Sequence, residues 1–531
     1  MDSHYPALFL LKILAIVLTC ISLLAAPRIG ICQTDTELEP TFEIREYFFD
    51  GNRLLHNEIL LNRVRAFIGP GKTARDVEAA RSAAEKAYHE RGYPTALVNI
   101  PPQSIEDGVV RLEVIESKIR RVRVKGNRYF TRERLLDEIP AIKPGEVFYL
   151  PDVKQQLARV NRNLDLKVAP VLMPGKKLGT IDVDLHVKDK LPLHGSLELN
   201  NRSTHDTTDL RLNGMLRYDN LWQKEHSLSI QAQTSPENTE EVKLFSGSYS
   251  LPSPWDDDHL IVLYGLLSDS STATAENILV VGEGYIVGMR YLANLPPLEG
   301  YLHSLVFGLD YKDFKEDIEG EKTPVRYTPL IVSYNGTIPD KSGETRFSLG
   351  INLALRQLGS NMENFDDKRW GAQGNYLYGK ASLARHQKLW AGWRLTAAVD
   401  GQLANQPLIS NEQYIAGGVA SGRGYMESEA VGDDALHGTT ELIAPDLGEA
   451  MGAGKYMRIT PYLFYDVAAL KTQDTLSGED PNTTLQGAGA GVRGHLFKYV
   501  DYQVDWGVAL EDTDQTESGD QLVHFKMLFK F

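Results

Sequence analysis

The last nine residues of the chain, residues 523–531, read VHFKMLFKF. Apolar side chains stand at every second position, while polar ones stand between most of them: Val523, Phe525, Met527, Phe529 and Phe531 against His524, Lys526 and Lys530. Successive side chains of a β-strand point to opposite faces, so the stretch predicts a strand with one apolar and one largely polar face. An apolar stripe interleaved with Lys and His is hard to place at a soluble sheet edge. It favours a strand whose outer face meets lipid.

The same alternation with a period of two recurs upstream, from about Leu193 onwards. It is clearest in residues 346–356 and returns in residues 210–217, 227–231, 393–399 and 502–508. A soluble β-sandwich shows the same alternation, so no single strand decides the fold. This region is longer than a single β-sandwich, and it contains no helical pattern long enough to cover a sheet. It predicts a transmembrane β-barrel of about sixteen antiparallel strands over residues 191–531, with Tyr and Trp girdles at the interfaces.

Composition narrows the possible functions. The 531 residues carry 24% charged side chains and a formal net charge of −15, which argues against a nucleic-acid partner because phosphate binding needs clustered Lys and Arg. The mean hydropathy of −0.28 is compatible with a barrel, since only every second strand residue faces lipid. Beyond residue 30 no apolar run approaches the roughly 18 residues of a spanning helix, which excludes a helical membrane protein.

The beginning of the chain predicts a signal peptide. An apolar run extends from Ala7 to Ala26, broken by Lys12 and a few small polar residues, and small and polar residues follow it. We interpret residues 1–32 as a secretory signal peptide cleaved near Cys32, the alternative being an uncleaved membrane anchor. The two cysteines, Cys20 and Cys32, both fall in this segment. The mature chain would then have no disulfide, thiolate metal site or cysteine nucleophile.

Two small α/β units are predicted between the leader and the barrel, at residues 41–116 and 117–190. The first begins with one strand through Phe42, Ile44 and residues 47–49, continues with a long helix capped by Thr73 and Asp76, and ends with two strands. The second repeats this order, with helices that begin at Thr131 and Pro151: strands are expected near residues 119–124 and 182–187. Residues 71–73, GKT, imitate the end of a phosphate-binding loop. The glycine required at position 66 is Ala66, so nucleotide binding is not expected.

Together these features resemble the outer-membrane transporters of two-partner secretion (TpsB), the haemolysin secretion/activation proteins of the ShlB/FhaC/HecB family. Residues 197–204 are similar to the family's first barrel strand, residues 212–228 to its next hairpin, and the α/β units to its POTRA domains. The resemblance implies a bacterial outer-membrane location, with the POTRA domains in the periplasm. It also implies secretion, with or without activation, of a haemolysin- or adhesin-like partner exoprotein. The terminal Phe531 resembles the signal that bacterial outer-membrane barrels present to the barrel-assembly machinery during biogenesis, before they contact outer-membrane lipids.

Two motifs carry the site that the resemblance implies. Residues 421–425, SGRGY, with their continuation to Asp433, are similar to the family's loop motif, and residues 464–466, FYD, to its strand motif. The family's loop folds into the barrel lumen, so Arg423 would form a salt bridge with Asp466, with Gly424 allowing the turn and Tyr425 packing beside it. Guanidinium geometry suits a carboxylate partner. Alternatively, Arg423 lies on an extracellular loop and Asp466 merely lines the lumen. Gly422 and Ala468 depart from the family pattern without removing either charge.

The implied mechanism involves no catalysis and no cofactor. The POTRA domains would capture the unfolded partner by strand addition, and folding outside the cell would give direction. Three alternatives stay open. The first is an insertase of the same superfamily, which usually carries more POTRA domains, and the second is a passive porin, which needs none. The third is an enzyme, but the 13 His are scattered without the spacing of metal ligands. Because only residues 33–40 separate the leader from the first strand, we expect no N-terminal plug helix.

Overall fold

The computed structural model describes residues 40–105, 107–270, 272–275, 278–318, 321–355, 358–359, 362–476, 478 and 480–531. The predicted signal peptide, and all but the last residue of segment 33–40, lie outside these residues. The chain divides into two compact units. One contains the chain up to Lys125 with Glu138–Arg162 and Val168–Val187. The other contains Gly126–Asp137, Asn163–Lys167 and Lys188–Phe531.

The first unit is built from short strands and helices. Its strands are β1 (Phe42–Ile44), β2 (Glu46–Asp50), β3 (Gly69–Lys72), β4 (Ala96–Asn99), β5 (Val109–Glu116), β6 (Lys118–Lys125), β7 (Leu166–Pro174) and β8 (Thr180–Asp189). Its helices are α1 (Asn57–Val64), followed by a 3₁₀ turn (Arg65–Phe67), α2 (Ala74–Glu90) and α4 (Leu150–Val160), while α3 (Arg132–Asp137) belongs to the second unit. Two three-stranded sheets result, in the orders β2-β5-β4 and β6-β8-β7, and β1 pairs with β3.

Helix α2 follows the sequence expectation. Thr73 and Asp76 form a capping box, in which the Thr73 N–H donates to the Asp76 carboxylate at 2.9 Å. Hydrogen bonds from Thr73 hold the pKa of that carboxyl below its usual value. The small residues Ala80, Ala84 and Ala87 are buried against the sheet, which lets the helix approach it closely.

The first predicted strand is wrong in one respect: residues 42–49 form two strands in two sheets. Ile44 pairs with Gly69 in the β1–β3 ribbon, whereas Glu46 begins the parallel pairing of β2 with β5. The N–H groups of Arg45 and Glu46 both donate to the carbonyl oxygen of Gly108. The chain therefore changes sheet at Arg45. Arg45 and Glu46 are both exposed, so the buried positions shift from Ile44 to Tyr47 and Phe49 and the alternation changes phase between the two strands.

The second unit is a closed antiparallel β-barrel. Its strands are β9 (Leu193–Asn200), β10 (Arg211–Leu221), β11 (His226–Thr234), β12 (Val242–Ser253), β13 (Asp256–Ser270), β16 (Glu283–Asn294), β17 (Leu302–Ile318), β18 (Glu321–Tyr327), β19 (Pro329–Asp340), β20 (Gly343–Ala354), β21 (Leu377–Lys388), β22 (Arg394–Ala404), β25 (Asp434–Ile443), β26 (Met457–Lys471), β27 (Asn482–Leu496), β28 (Val500–Ala509) and β29 (Gln521–Lys530). Strands β18 and β19 follow one another along β17 and occupy one position. The prediction of a sixteen-stranded barrel is thus confirmed.

The remaining elements lie in the connections between barrel strands. They are the hairpin of β14 (Thr272–Ala275) and β15 (Ile278–Val281), the hairpin of β23 (Tyr414–Ala416) and β24 (Ala430–Gly432), α5 (Met362–Lys368), a 3₁₀ turn (Trp390–Gly392), α6 (Gly418–Ser421) and α7 (Leu447–Ala450). Within the part of the chain that the structure describes, no helix is both long and apolar enough to cross a membrane.

The barrel closes where β29 pairs with β9, from Lys526 opposite Asn200 to Lys530 opposite Ser196. The terminal stretch has the predicted two faces: Val523 and Phe529 are about half exposed on the outside, whereas His524 is buried on the inside. Because the strands are antiparallel, the start of β9 and the end of β29 lie at the same rim of the barrel. We call this the proximal rim.

Candidate functional site

The connection between β22 and β25, residues 405–433, is held inside the barrel, and we call it the lumen loop. Its two arms form the β23–β24 hairpin, and α6 precedes a tip that includes Arg423, Gly424 and Tyr425. All three tip residues are buried. The loop is placed by contacts with barrel strands and with neighbouring loops.

Arg423 is the central contact of the tip. Only 3% of Arg423 is exposed. Its side chain donates from Nε and Nη2 to the two carboxylate oxygens of Asp466, at 2.7 Å each. The Arg423 backbone N–H donates to the same carboxylate at 3.1 Å. Asp466 is 1% exposed and also accepts from the Thr439 hydroxyl at 2.6 Å. A bidentate pair of this kind fixes both the position and the orientation of the guanidinium.

A second carboxylate extends this contact along the wall. Arg423 Nη1 donates to Glu441 on β25 at 2.7 Å, and Arg493 on β27 donates to the other Glu441 oxygen at 2.8 Å. The Arg423 guanidinium also lies 3.7 Å from the ring centroid of Phe464, and the Arg493 guanidinium lies 4.4 Å from that of Tyr462. Two cations thus face two carboxylates. The Arg423–Asp466 pair is buried whereas Arg493 is partly exposed, and each guanidinium packs on an aromatic ring.

The tip approaches the wall closely because glycines line the contact. Gly424 has φ +119°, and a Cβ there would lie 2.8 Å from the backbone nitrogen of Ala509. On the wall, a Cβ on Gly507 would lie 2.6 Å from the Gly424 nitrogen. The Tyr425 hydroxyl donates to the Glu511 carbonyl oxygen at 2.8 Å and accepts from the Gln486 N–H at 3.3 Å. The tip is therefore packed backbone to backbone against β27 and β28.

Three further anchors hold the arms of the lumen loop. Asp433 is fully buried and accepts hydrogen bonds from both terminal nitrogens of Arg369, one of them at 2.7 Å. Glu412 accepts from Lys312 at 2.6 Å and from the hydroxyls of Tyr327 and Tyr378 at 2.7 Å each. Glu429 contacts His205 at 2.7 Å and accepts from the hydroxyls of Thr513 and Thr516. The loop is thus fixed to several separate parts of the barrel.

The structure brings together four of the five residues singled out from the sequence: Arg423, Gly424, Tyr425 and Asp466. The fifth, Phe531, lies at the proximal rim, where its N–H donates to the Gly195 carbonyl oxygen at 3.1 Å. A Cβ on Gly195 would lie 2.1 Å from the Phe531 ring, so that glycine makes room for the last side chain. Glu429 and Asp433 lie in the continuation of the loop motif, but their partners were not predicted from the sequence. Glu441, Glu412 and Arg369 were not predicted either, and only the lumen-facing alternation pointed to Glu441.

One group of side chains within the described residues has the composition of a metal site. Single ligand atoms of Asp165, His194 and Asp219 lie within 4.8 Å of one another. The carboxylates of Asp165 and Asp219 lie 2.7 and 3.4 Å, respectively, from the same nitrogen of His194. Arg217 donates a hydrogen bond to Asp219 at 3.1 Å. The group is therefore satisfied by its own hydrogen bonds and a neighbouring cation.

Two family models match the chain. Residues 42–117 match the POTRA domain, ShlB-type, and residues 179–494 match the haemolysin secretion/activation protein ShlB/FhaC/HecB. The outer membrane transporter CdiB of Dickeya dadantii (strain 3937) is 21% identical over 419 residues, which cover 76% of this chain and 72% of that protein. The heme/hemopexin transporter protein HuxB of Haemophilus influenzae (strain ATCC 51907 / DSM 11121 / KW20 / Rd) is 19% identical over 454 residues, with 83% and 78% covered.

Solved structures show the same fold. CdiB from Escherichia coli superposes with a TM-score of 0.61 at 19% identity, over 95% of this chain and 94% of that one. BamA from Haemophilus ducreyi lacking POTRA domains 1–3 superposes with a TM-score of 0.56 at 14% identity, over 93% and 100%. The barrel with its preceding α/β region is therefore an architecture already known from these outer-membrane proteins.

Proposed function

The chain belongs to the haemolysin secretion/activation protein family ShlB/FhaC/HecB, and from this membership we propose how its residues carry out secretion. It is an outer-membrane transporter that secretes a partner exoprotein by two-partner secretion. Its barrel lies in the bacterial outer membrane and its POTRA region in the periplasm, so the proximal rim faces the periplasm.

The α/β region captures the unfolded partner. In this proposal residues 117–190 form a second POTRA domain after the first, and a haemolysin- or adhesin-like partner adds a strand to an exposed sheet edge. In the sheet β2-β5-β4, the β4 edge is occupied: Val98 donates to Glu85 and accepts from Arg81, both at 3.1 Å. The other edge is β2, where Phe48 is half exposed. We therefore propose β2 as the edge that receives the partner.

The barrel lumen conducts the partner, and the lumen loop closes it between transport events. The Arg423–Asp466–Glu441 contact carries this proposal, since it joins the tip of the lumen loop to the inner wall of the barrel. In this proposal the passing chain displaces the tip. Its function is to hold one conformation rather than to add stability, because burying charges offsets much of their attraction. The transporter itself needs no catalysis and no cofactor for this step, and folding of the partner outside the cell supplies direction.

Export of a co-expressed partner tests the proposal. We expect wild-type cells to release the partner, and Arg423→Ala cells to release much less at an equal amount of barrel in the outer membrane. Arg346→Ala serves as the matched control, because Arg346 is an exposed barrel arginine whose ion pair is with Glu344. If neither wild type nor variant exports the partner, and deletion of the gene lowers the amounts of other barrels in the outer membrane, the protein is an insertase instead. Equal export by wild type and Arg423→Ala would reject the role of the contact.

Phe531 has a separate proposed role as the terminal signal read by the barrel-assembly machinery. Phe531 and Phe529 are both outward-facing aromatic residues of the same terminal segment, and only Phe531 is the last residue. Phe531→Ala should lower the amount of folded barrel in the outer membrane more than Phe529→Ala does. Heat-modifiable mobility on gels measures the folded fraction. Equal losses for the two variants would indicate lost apolar surface rather than a lost signal.

A further inference from the structure

The turn between β10 and β11 has an unusual backbone. With the end of β10 included, four non-glycine residues here have positive φ: Asn220 at 77°, where the pairing of β10 with β11 is irregular, Trp222 at 60°, Gln223 at 58° and Glu225 at 60°. Asn tolerates this left-handed region, but Trp, Gln and Glu do not favour it, because their Cβ crowds the backbone carbonyl. Such strain persists only where surrounding contacts enforce it, and it often marks a part that moves.

Arg134 on α3 holds both ends of this turn. Helix α3 lies in Gly126–Asp137, which belongs to the same compact unit as the barrel. Arg134 is 6% exposed and donates to the side-chain oxygen of Asn220 and, at 2.7 Å, to the carboxylate of Glu225. Its guanidinium also lies 4.8 Å from the ring centroid of Phe130. One buried cation therefore joins the first and the last strained residue.

The middle of the turn is held by Gln223. Its side-chain oxygen accepts the Thr131 N–H at 3.0 Å, and its amide nitrogen donates to the Tyr129 carbonyl oxygen at 3.0 Å. The loop before α3 is itself fixed, since one oxygen of Asp189 accepts the N–H groups of residues 128, 129 and 130 at 2.6–3.0 Å. The segment before α3 thus forms a rigid template against which the turn takes its left-handed form.

The strained turn is connected to the closing pair of the barrel. It continues β10, and β10 pairs with β9 from Arg211 opposite Asn200 to Tyr218 opposite Leu193. The Asp219 N–H also donates to the Pro192 carbonyl oxygen at 2.8 Å, just before β9 begins. Strand β9 in turn closes the barrel on β29. A change of conformation in the turn would therefore act on the first strand of the barrel at the proximal rim.

We propose that Arg134 is a positioning residue for secretion: it keeps the Asn220–Glu225 turn in its strained form in the resting transporter. When α3 releases the turn, the backbone relaxes and β9 and β10 shift at the proximal rim. This inference rests on the proposed function for its role in secretion, whereas the held conformation itself is a property of the protein at rest.

Hydrogen exchange in the full-length protein in lipid nanodiscs tests the held conformation. Arg134→Ala should speed amide exchange across residues 220–226 by about tenfold or more, since the loss of two hydrogen bonds from a charged group is worth at least that factor. Arg132→Ala, at an exposed position of the same helix, should leave exchange unchanged. Equal exchange in the two variants would overturn the inference, whatever happens to secretion.

A glycine rescue separates backbone conformation from simple loss of contact. Trp222 is 72% exposed, and glycine accepts positive φ without strain whereas alanine does not. In the Arg134→Ala background, Trp222→Gly should restore slow exchange and part of the partner export, and Trp222→Ala should restore neither. Rescue by both or by neither substitution would overturn the proposal. If Arg134→Ala changes exchange but Arg423→Ala leaves export intact, the proposed role of the Arg423 contact fails while the positioning role of Arg134 stands.

Discussion

Gly487 of β27 lies directly against the backbone of Arg423: a Cβ built on Gly487 would stand 2.1 Å from the Arg423 carbonyl oxygen. The inner wall therefore receives the tip of the lumen loop at a place where it has no side chain. The ion pair with Asp466 and the missing Cβ of Gly487 are two parts of one contact, because the guanidinium reaches Asp466 from a backbone that sits on the wall.

Gly487→Ala should displace the tip of the lumen loop without unfolding the barrel. The added methyl group clashes with backbone, which has no flexible end to move aside. We expect more frequent channel openings in planar lipid bilayers and faster proteolysis within residues 417–433. Gly247→Ala on β12 is the control, because its Cβ would meet the nearest atom at an ordinary 3.7 Å. Unchanged openings in Gly487→Ala would show that the tip is not held by this contact.

Asp466→Asn should open the channel more than Glu441→Gln does. Asp466 accepts hydrogen bonds from two guanidinium nitrogens and from the backbone N–H of Arg423. Glu441 accepts one hydrogen bond from Arg423 and a second one from Arg493. Loss of a hydrogen bond between charged groups costs about 1.5–3 kcal/mol. The open fraction should therefore rise about tenfold or more in Asp466→Asn. The reverse order of the two variants in bilayer recordings would contradict this account.

Lys312→Met should destabilise the folded barrel, and Lys312→Met with Glu412→Gln should restore much of the loss. The single variant leaves the buried Glu412 carboxylate with the two tyrosine hydroxyls but without its cationic partner, which costs about 3–5 kcal/mol. The double variant removes both charges together. The temperature at which the barrel loses its folded mobility on gels measures the effect. Losses that simply add would show that Lys312 and Glu412 are not coupled.

The second three-stranded sheet should lose stability in acid through Asp184. The Arg123 and Lys125 side chains lower the pKa of this carboxyl, with Arg123 donating at 2.5 and 2.9 Å. A lowered folded pKa means that the stabilisation is present above the unfolded value of about 3.9 and is lost as the pH falls through the folded value. Amide exchange in β6 and β8, corrected for intrinsic rates, should rise below about pH 4. Asp184→Asn should raise exchange already at neutral pH and flatten this dependence. A pH dependence equal to wild type would assign the acid sensitivity to other groups.

Much of the fold follows from local alternation. The two faces of strands such as β20 and β29 could be predicted from the alternation of apolar and polar side chains. The pleat of a strand imposes this period of two whatever the partner strand is. The position shared by β18 and β19, interrupted at Thr328, has no such signature. The change of sheet at Arg45 does leave a trace, because the buried positions shift from Ile44 to Tyr47 and Phe49, but the prediction of a single strand ignored this change of phase.

The site was only partly predictable. Arg423 and Asp466 could be paired because each lies in a motif similar to the family's, and the structure places them in contact; their role in secretion stays a prediction. Alternation marks every lumen-facing polar residue alike, so it puts Glu441 on the inner face without naming its partner. Lys312 and Glu412 are 100 residues apart in the chain. Only closure of the barrel and the path of the loop bring such residues together.

The separate anchors of the lumen loop have a kinetic consequence. Arg423, Asp433, Glu412 and Glu429 contact different parts of the barrel, so a polypeptide that pushes past the loop can detach them one after another. A single high barrier is thereby divided into several lower ones, each within reach of thermal fluctuation. If the lumen loop closes the pore as proposed, spontaneous leakage requires all of these contacts to break together, and the joint probability is small. On this proposal a slow leak and the passage of a polypeptide can coexist in one pore without an energy-consuming motor.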